Sequence, residues 1–109
     1  LHQATQGVAL DWFIAFSSLS ARIGITGQSA YVAANAFIDA LMRYRHSLGL
    51  PGTAIGWGTW SGGMTARLAV VRRDRCRLLG LKLFTAAQVA AIVQSAYSAR
   101  HPMLVAGEL

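Results

Sequence analysis

The sequence predicts an α/β fold: a parallel sheet with flanking helices, of which this chain carries a part. Two short apolar runs, WFIAF from Trp12 to Phe16 and TAIGW from Thr53 to Trp57, read as strands buried on both faces. A segment of helical periodicity lies between them, and strand, helix, strand in that order is the crossover unit of a parallel sheet. The third observation is bulk. Of 109 residues 54% are hydrophobic and 13% charged, more than a soluble domain of this size needs, so a partner surface is expected beyond these residues.

The first strand is short, continuous and aromatic, and it ends at Ser17 and Ser18 before a loop that contains Gly24 and Gly27. From about Gln28 to Leu48 the pattern turns helical, with Phe37, Leu41, Tyr44 and Leu48 at helical spacing. Asp39 and Arg43 stand one turn apart as a candidate ion pair, and Arg43, Arg45 and His46 crowd the last turns, where cations suit the helix dipole. Gly49 and Pro51 stop the helix.

After the second strand, GTWSGGMTARL is Gly-rich and then weakly helical, as a loop or lid over a site would be. Thr85 and Gln88 fit a capping box ahead of a helix from Ala86 to Arg100, with Val89, Ile92, Val93 and Ala96 as its apolar stripe. His101 and Pro102 end that helix, and MLVAG reads as a last strand. Trp57 and Trp60 are expected to pack rather than to catalyse.

Composition excludes several classes. No apolar run reaches the roughly eighteen residues of a membrane span, because Arg22, Asp39 and Arg43 interrupt the candidates. The opening LHQATQGVALDW has neither an initiating Met nor a signal-peptide pattern, so it reads as a cut inside a longer chain. Cys76 is the single cysteine, which excludes an internal disulfide and any multi-cysteine metal site; an inert thiol in a reducing cytoplasm is expected. His2, His46 and His101 show no metal-binding spacing, and no metal is expected.

The formal charge of +6 comes from nine arginines and one lysine, Lys82, against four acids. Arg72, Arg73, Arg75 and Arg77 cluster, but no aromatic residue is interleaved with them, so a solvated face is expected rather than a nucleic-acid site.

The chemistry gathers around FSSLSARIGITGQSAYVAANAF. Ser18 falls at the end of the first strand, the ligand-binding edge of an open α/β sheet. Tyr31 follows thirteen positions later and Asn35 four beyond that, both near the start of the helix and on one face of it. A strand-end hydroxyl and a helix-start phenol can bracket one carbonyl oxygen. The hydroxyl then donates a hydrogen bond to that oxygen, while the phenol gives it a proton as hydride reaches the carbon. Proton release from a phenol near neutral pH calls for a cation close by. The neighbouring Ser17 reads as structural, bonded to local backbone.

FIAFSSLSARIGITGQSAYVAANAFIDAL followed by LGLPGTAIGWGTWSGGM closely resembles the C-terminal half of the ketoreductase domain of modular polyketide synthases, a branch of the short-chain dehydrogenase/reductase superfamily with a Rossmann-like sheet. The resemblance extends to the closing HPMLVAGEL. It implies that Ser18, Tyr31 and Asn35 belong to the catalytic site, that Tyr31, Gly58 and Thr59 border the cofactor NADPH, and that a substrate lid spans about residues 61–80, with Met64 as a contact. It implies reduction of a β-ketoacyl thioester delivered by the phosphopantetheine arm of an acyl carrier protein. The wider superfamily has a lysine four positions after the tyrosine, where this chain has Asn35, and polyketide ketoreductases place that lysine upstream of the serine.

The upstream lysine and the G-x-G-x-x-G turn that cradles a cofactor pyrophosphate are not in this sequence. The expectation is therefore a partial ketoreductase domain, inactive alone, whose partner is the N-terminal half of the domain. A truncated remnant without function and another short-chain reductase are the alternatives. In the resembled family a tryptophan eight residues before the tyrosine marks one stereochemical class and a histidine three before it marks a subtype. Ile23 and Gln28 occupy those positions, which favours the class without the tryptophan.

Overall fold

The computed structural model describes residues 1–58 and 84–107. The expected lid at about 61–80, Thr59, Trp60, Met64, Cys76, Lys82 and the arginine cluster lie outside the described residues. Among the described residues seven elements follow one another: α1 (His2–Thr5), β1 (Ile14–Ser18), α2 (Ser20–Ile23), α3 (Ser29–Ser47), β2 (Thr53–Trp57), α4 (Ala86–Ser98) and β3 (Met103–Ala106).

The strands form one parallel sheet in the order β1-β2-β3. Ile14 pairs with Thr53 and Ser18 with Trp57, while Ala54 pairs with Met103 and Trp57 with Ala106. Every residue of β2 is buried, as a strand with neighbours on both edges and helices over its faces requires. β1 differs from expectation. It starts two residues later than the apolar run and takes in both serines, because the ladder to β2 begins at Ile14. Trp12 is left outside the strand and stacks on Tyr97 of α4, with ring centroids 4.9 Å apart.

Side chains alternate across a strand, which gives the sheet two unlike faces. On one face Ile55, Trp57 and Ala106 form a core with Phe84 and Ala96, flanked by Ile14, Leu104, Val89, Ile92 and Val93. The expected α4 stripe packs here, contributing about 1.5–3 kcal/mol for each large side chain removed from water. The capping box forms as read: Thr85 Oγ1 accepts from the Gln88 amide at 3.3 Å, and the Gln88 side chain accepts from the Thr85 amide at 2.9 Å.

The other face presents small residues, Ala15 and Ser17 of β1 with Ala54 and Gly56 of β2, and α3 lies against it. Asn35, Asp39, Met42 and Arg45 are buried, whereas Phe37, Tyr44 and Leu48 of the apolar stripe are exposed. Asp39 accordingly does not pair with the exposed Arg43; it lies in the interior, and its Oδ1 has no hydrogen-bond partner among the described residues.

α3 ends in a Schellman turn. Gly49 takes a φ of 71°, its amide donates to the His46 carbonyl, and the Leu50 amide donates to the Arg45 carbonyl. The chain then passes so close to the helix that a Cβ on Gly52 would lie 3.0 Å from Arg45 Cβ and 3.3 Å from the Met42 carbonyl oxygen.

Arg45 is 1% exposed. Its Nε donates to the Pro51 carbonyl at 2.8 Å, and one terminal nitrogen donates to His2 Nδ1 at 3.1 Å and to Thr5 Oγ1 at 3.3 Å. Its Cζ stands 4.0 Å over the Phe13 ring centre. Burial lowers its pKa from the ordinary arginine value, but arginine stays charged in proteins. These neutral acceptors and one aromatic face are the contacts that offset its desolvation, and they tie α1, the approach to β1 and the α3–β2 turn together.

Arg45→Lys removes the planar fork that reaches both sides of this joint. Stability should fall by about 2–3 kcal/mol in urea unfolding. Hydrogen exchange at the Thr5 and Val8 amides, which cap α1, should accelerate more than exchange in β2.

Candidate active site

The site is built where β1 ends and α3 begins, at the carboxyl edge of the parallel sheet, the edge on which open α/β sheets bind ligands. One hydrogen bond ties the two elements there. Ser17 is buried, and its Oγ donates to the backbone carbonyl of Asn35 at 3.2 Å. The structural part expected of Ser17 is thus a bond to the helix.

Asn35 is itself buried, and its Nδ2 donates to the Tyr31 carbonyl one turn back at 2.9 Å. Both its carbonyl and its amide nitrogen are engaged in holding this end of α3. Tyr31 lies one turn nearer the helix start, about 6 Å further along the axis. It shares the helical phase of the buried stripe, yet it is 46% exposed. The first turn of α3 carries it past the end of β1.

Ser18 is the last residue of β1 and half-buried. Alternation along the strand sends it to the opposite side from Ser17. Its Oγ accepts from the Ser20 amide at 3.2 Å and pairs with the Ser20 hydroxyl at 2.8 Å. Ser20 opens α2, a short helix the sequence reading took for loop. The signal for it was the strand-end Ser18 with a serine two positions later: the Ser18 Oγ turns the chain by accepting the Ser20 backbone N–H. The Leu19 amide donates to the Trp57 carbonyl at 2.8 Å, so the turn is pinned to β2.

Gly58 follows β2 on the same edge. Its amide donates to the Ala106 carbonyl at 2.8 Å, and a Cβ there would stand 3.3 Å from that oxygen and 3.5 Å from the Phe84 ring. The structure thus places Ser18, Tyr31, Asn35 and Gly58 at one end of the sheet. Ile23, at the end of α2, is more than half exposed nearby in the chain.

A Rossmann-like parallel sheet with a serine at a strand end and a tyrosine in the long helix that crosses to the next strand accords with the short-chain dehydrogenase/reductase class. Residues 1–62 match the family model of the KR domain, and the chain belongs to that family, the ketoreductases of polyketide synthases. Polyketide synthase GfsB of Streptomyces halstedii is 39% identical over 96% of the chain, and phenolphthiocerol synthesis polyketide synthase type I Pks15/1 of Mycobacterium bovis is 40% identical over 97%. The chain spans 2% and 5% of the lengths of those two proteins. Among solved structures, an A-type ketoreductase from a modular polyketide synthase matches 99% of the chain at 33% identity with a TM-score of 0.87, and the chain covers 22% of it. The first ketoreductase of the tylosin polyketide synthase matches with a TM-score of 0.82, and the chain covers 24% of it.

Among the described residues no helix is long and apolar enough to cross a membrane.

Ser17→Ala cuts the bond between β1 and α3 while the Asn35 carbonyl keeps its place in the helix. A stability loss of about 1 kcal/mol is expected from urea unfolding, with faster amide exchange in the first turns of α3 than in its last.

Proposed function

We propose that this chain forms the proton-donor side of a ketoreductase that reduces a β-ketoacyl thioester, carried on an acyl carrier protein, to the β-hydroxyacyl thioester with NADPH. The observation that carries the reading is the Ser17–Asn35 bond, which brings Ser18 and Tyr31 to one edge of the sheet from different elements. Among the described residues no strand lies on the outer side of β1, and this, with the exposed Phe37, Tyr44 and Leu48 face of α3, supports a site completed by the N-terminal half of such a domain.

The donor set fits the nicotinamide end of the cofactor. A half-exposed phenol, a strand-end hydroxyl and the backbone of Gly58 stand at one end of the sheet, with Thr59 next in sequence. No G-x-G-x-x-G occurs in these residues, so the pyrophosphate and the upstream lysine belong to the other half. When bound, the cofactor supplies the hydride that adds to the ketone carbon.

Ser18 donates a hydrogen bond to the ketone oxygen and holds it as negative charge develops there. Tyr31 transfers its phenolic proton to that oxygen, so the C=O π bond becomes a C–H and an O–H bond. Asn35 holds the Tyr31 turn against the strand through its two hydrogen bonds.

The test is NADPH consumption with a β-ketoacyl N-acetylcysteamine thioester, by the chain alone and after mixing with an N-terminal ketoreductase half. Turnover is expected only in the mixture, and Tyr31→Phe should lower kcat by about a hundredfold or more. A folded, NADPH-binding mixture whose turnover is untouched by Tyr31→Phe would overturn the proton-donor assignment.

A further inference from the structure

We propose that Ser20 is a positioning residue for the reduction: it locks the Ser18 hydroxyl so that its one proton faces the substrate carbonyl. The inference rests on the ketoreductase reading and adds a residue to it.

A serine hydroxyl has one proton to give and two lone pairs to receive. At Ser18 Oγ both lone pairs are engaged by one neighbour. The Ser20 backbone amide, which can only donate, lies 3.2 Å away, and the Ser20 hydroxyl lies 2.8 Å away.

The direction of the second bond follows from burial. Ser20 is 2% exposed, and among the described residues Ser18 Oγ is the one partner of its hydroxyl. If Ser18 donated to Ser20, the Ser20 proton would be buried with no acceptor, at the full desolvation penalty of an unmade bond. Ser20 therefore donates, and the proton of Ser18 remains its sole unused hydrogen-bonding capacity. No described group accepts that proton. A ketone oxygen at the sheet edge is the acceptor this arrangement awaits.

The geometry of the pair is held from outside. The Leu19 amide on the Trp57 carbonyl and the Gly24 amide on the Ser20 carbonyl, at 2.8 and 2.9 Å, fix the backbone on either side. Ser20 touches no substrate; it acts through Ser18 by removing the rotamers in which that hydroxyl would point inward. The donor then needs no reorganisation as charge develops on the ketone oxygen.

The test is a double-mutant cycle in a complete ketoreductase domain carrying this chain as its C-terminal half, with Ser18→Ala, Ser20→Ala, the double variant and Ser20→Thr. Ser20→Ala should lower kcat about five- to tenfold with KM changed less than about twofold, the worth of one oriented hydrogen bond. The same substitution in the Ser18→Ala background should have almost no effect, and Ser20→Thr, which keeps the hydroxyl, should recover most of the turnover. Equal losses in both backgrounds would make Ser20 merely structural and overturn the inference, as would full activity of Ser20→Ala. Unimpaired turnover in Ser18→Ala and Tyr31→Phe would instead sink the ketoreductase assignment itself.

Discussion

Helix α3 is held against the sheet at both ends, and the arrangement of the site depends on that clamp. At the helix C-terminus the Gly52 backbone presses on Met42 and Arg45 with no room for a Cβ, while the guanidinium of Arg45 gathers Pro51, His2, Thr5 and Phe13. At the N-terminus the tie is Ser17 on the Asn35 carbonyl. The sheet face between them offers alanine, serine and glycine, which lets the helix lie close. A bulkier face would lift α3, and Tyr31 would leave the plane of the strand ends with it.

This clamp explains why the inward stripe of the helix is polar at Asn35, Asp39 and Arg45, with Met42 as its apolar member. A helix packed on a small-residue face needs short groups that bond backbone, as Asn35 does, and a long one that reaches across a turn, as Arg45 does. Phe37, Tyr44 and Leu48 are then left on the outer face. There they form the exposed surface that a chain of 54% hydrophobic composition was expected to carry.

Much of this was legible in the residues. Thr53 to Trp57 read as a buried strand because five residues without a charge, bounded by Pro51-Gly52 and Gly58, fit nothing else so short. Thr85 and Gln88 announced their helix through side-chain chemistry that operates within one turn. The places of Ser18 at a strand end and of Tyr31 and Asn35 near a helix start were legible because strand end and helix start are local events. The inward side of α3 was not legible in the residues, because periodicity reports which residues share a face and says nothing of which face finds cover. Arg45 was assigned to the helix dipole, since its partners His2 and Thr5 lie more than one element away. Ser20 was passed over because a serine in a Gly-containing stretch looks like any loop serine until its burial is known.

The sheet also has a kinetic side. Each strand pairs with one that a whole helix separates from it, and the Thr53 hydroxyl that steadies the end of β2 reaches the His101 carbonyl 48 residues away. Loops of that size must close before a single ladder bond forms, whereas α3, with its Schellman turn, and α4, with its capping box, draw on neighbours a few residues distant. Helices should therefore precede strands in folding, with β2 as the piece that waits longest for both edges. Until β2 is paired on both sides, TAIGW is an uncharged β-forming segment with open backbone, and the speed of its capture by β1 and β3 decides between a folded chain and an aggregate.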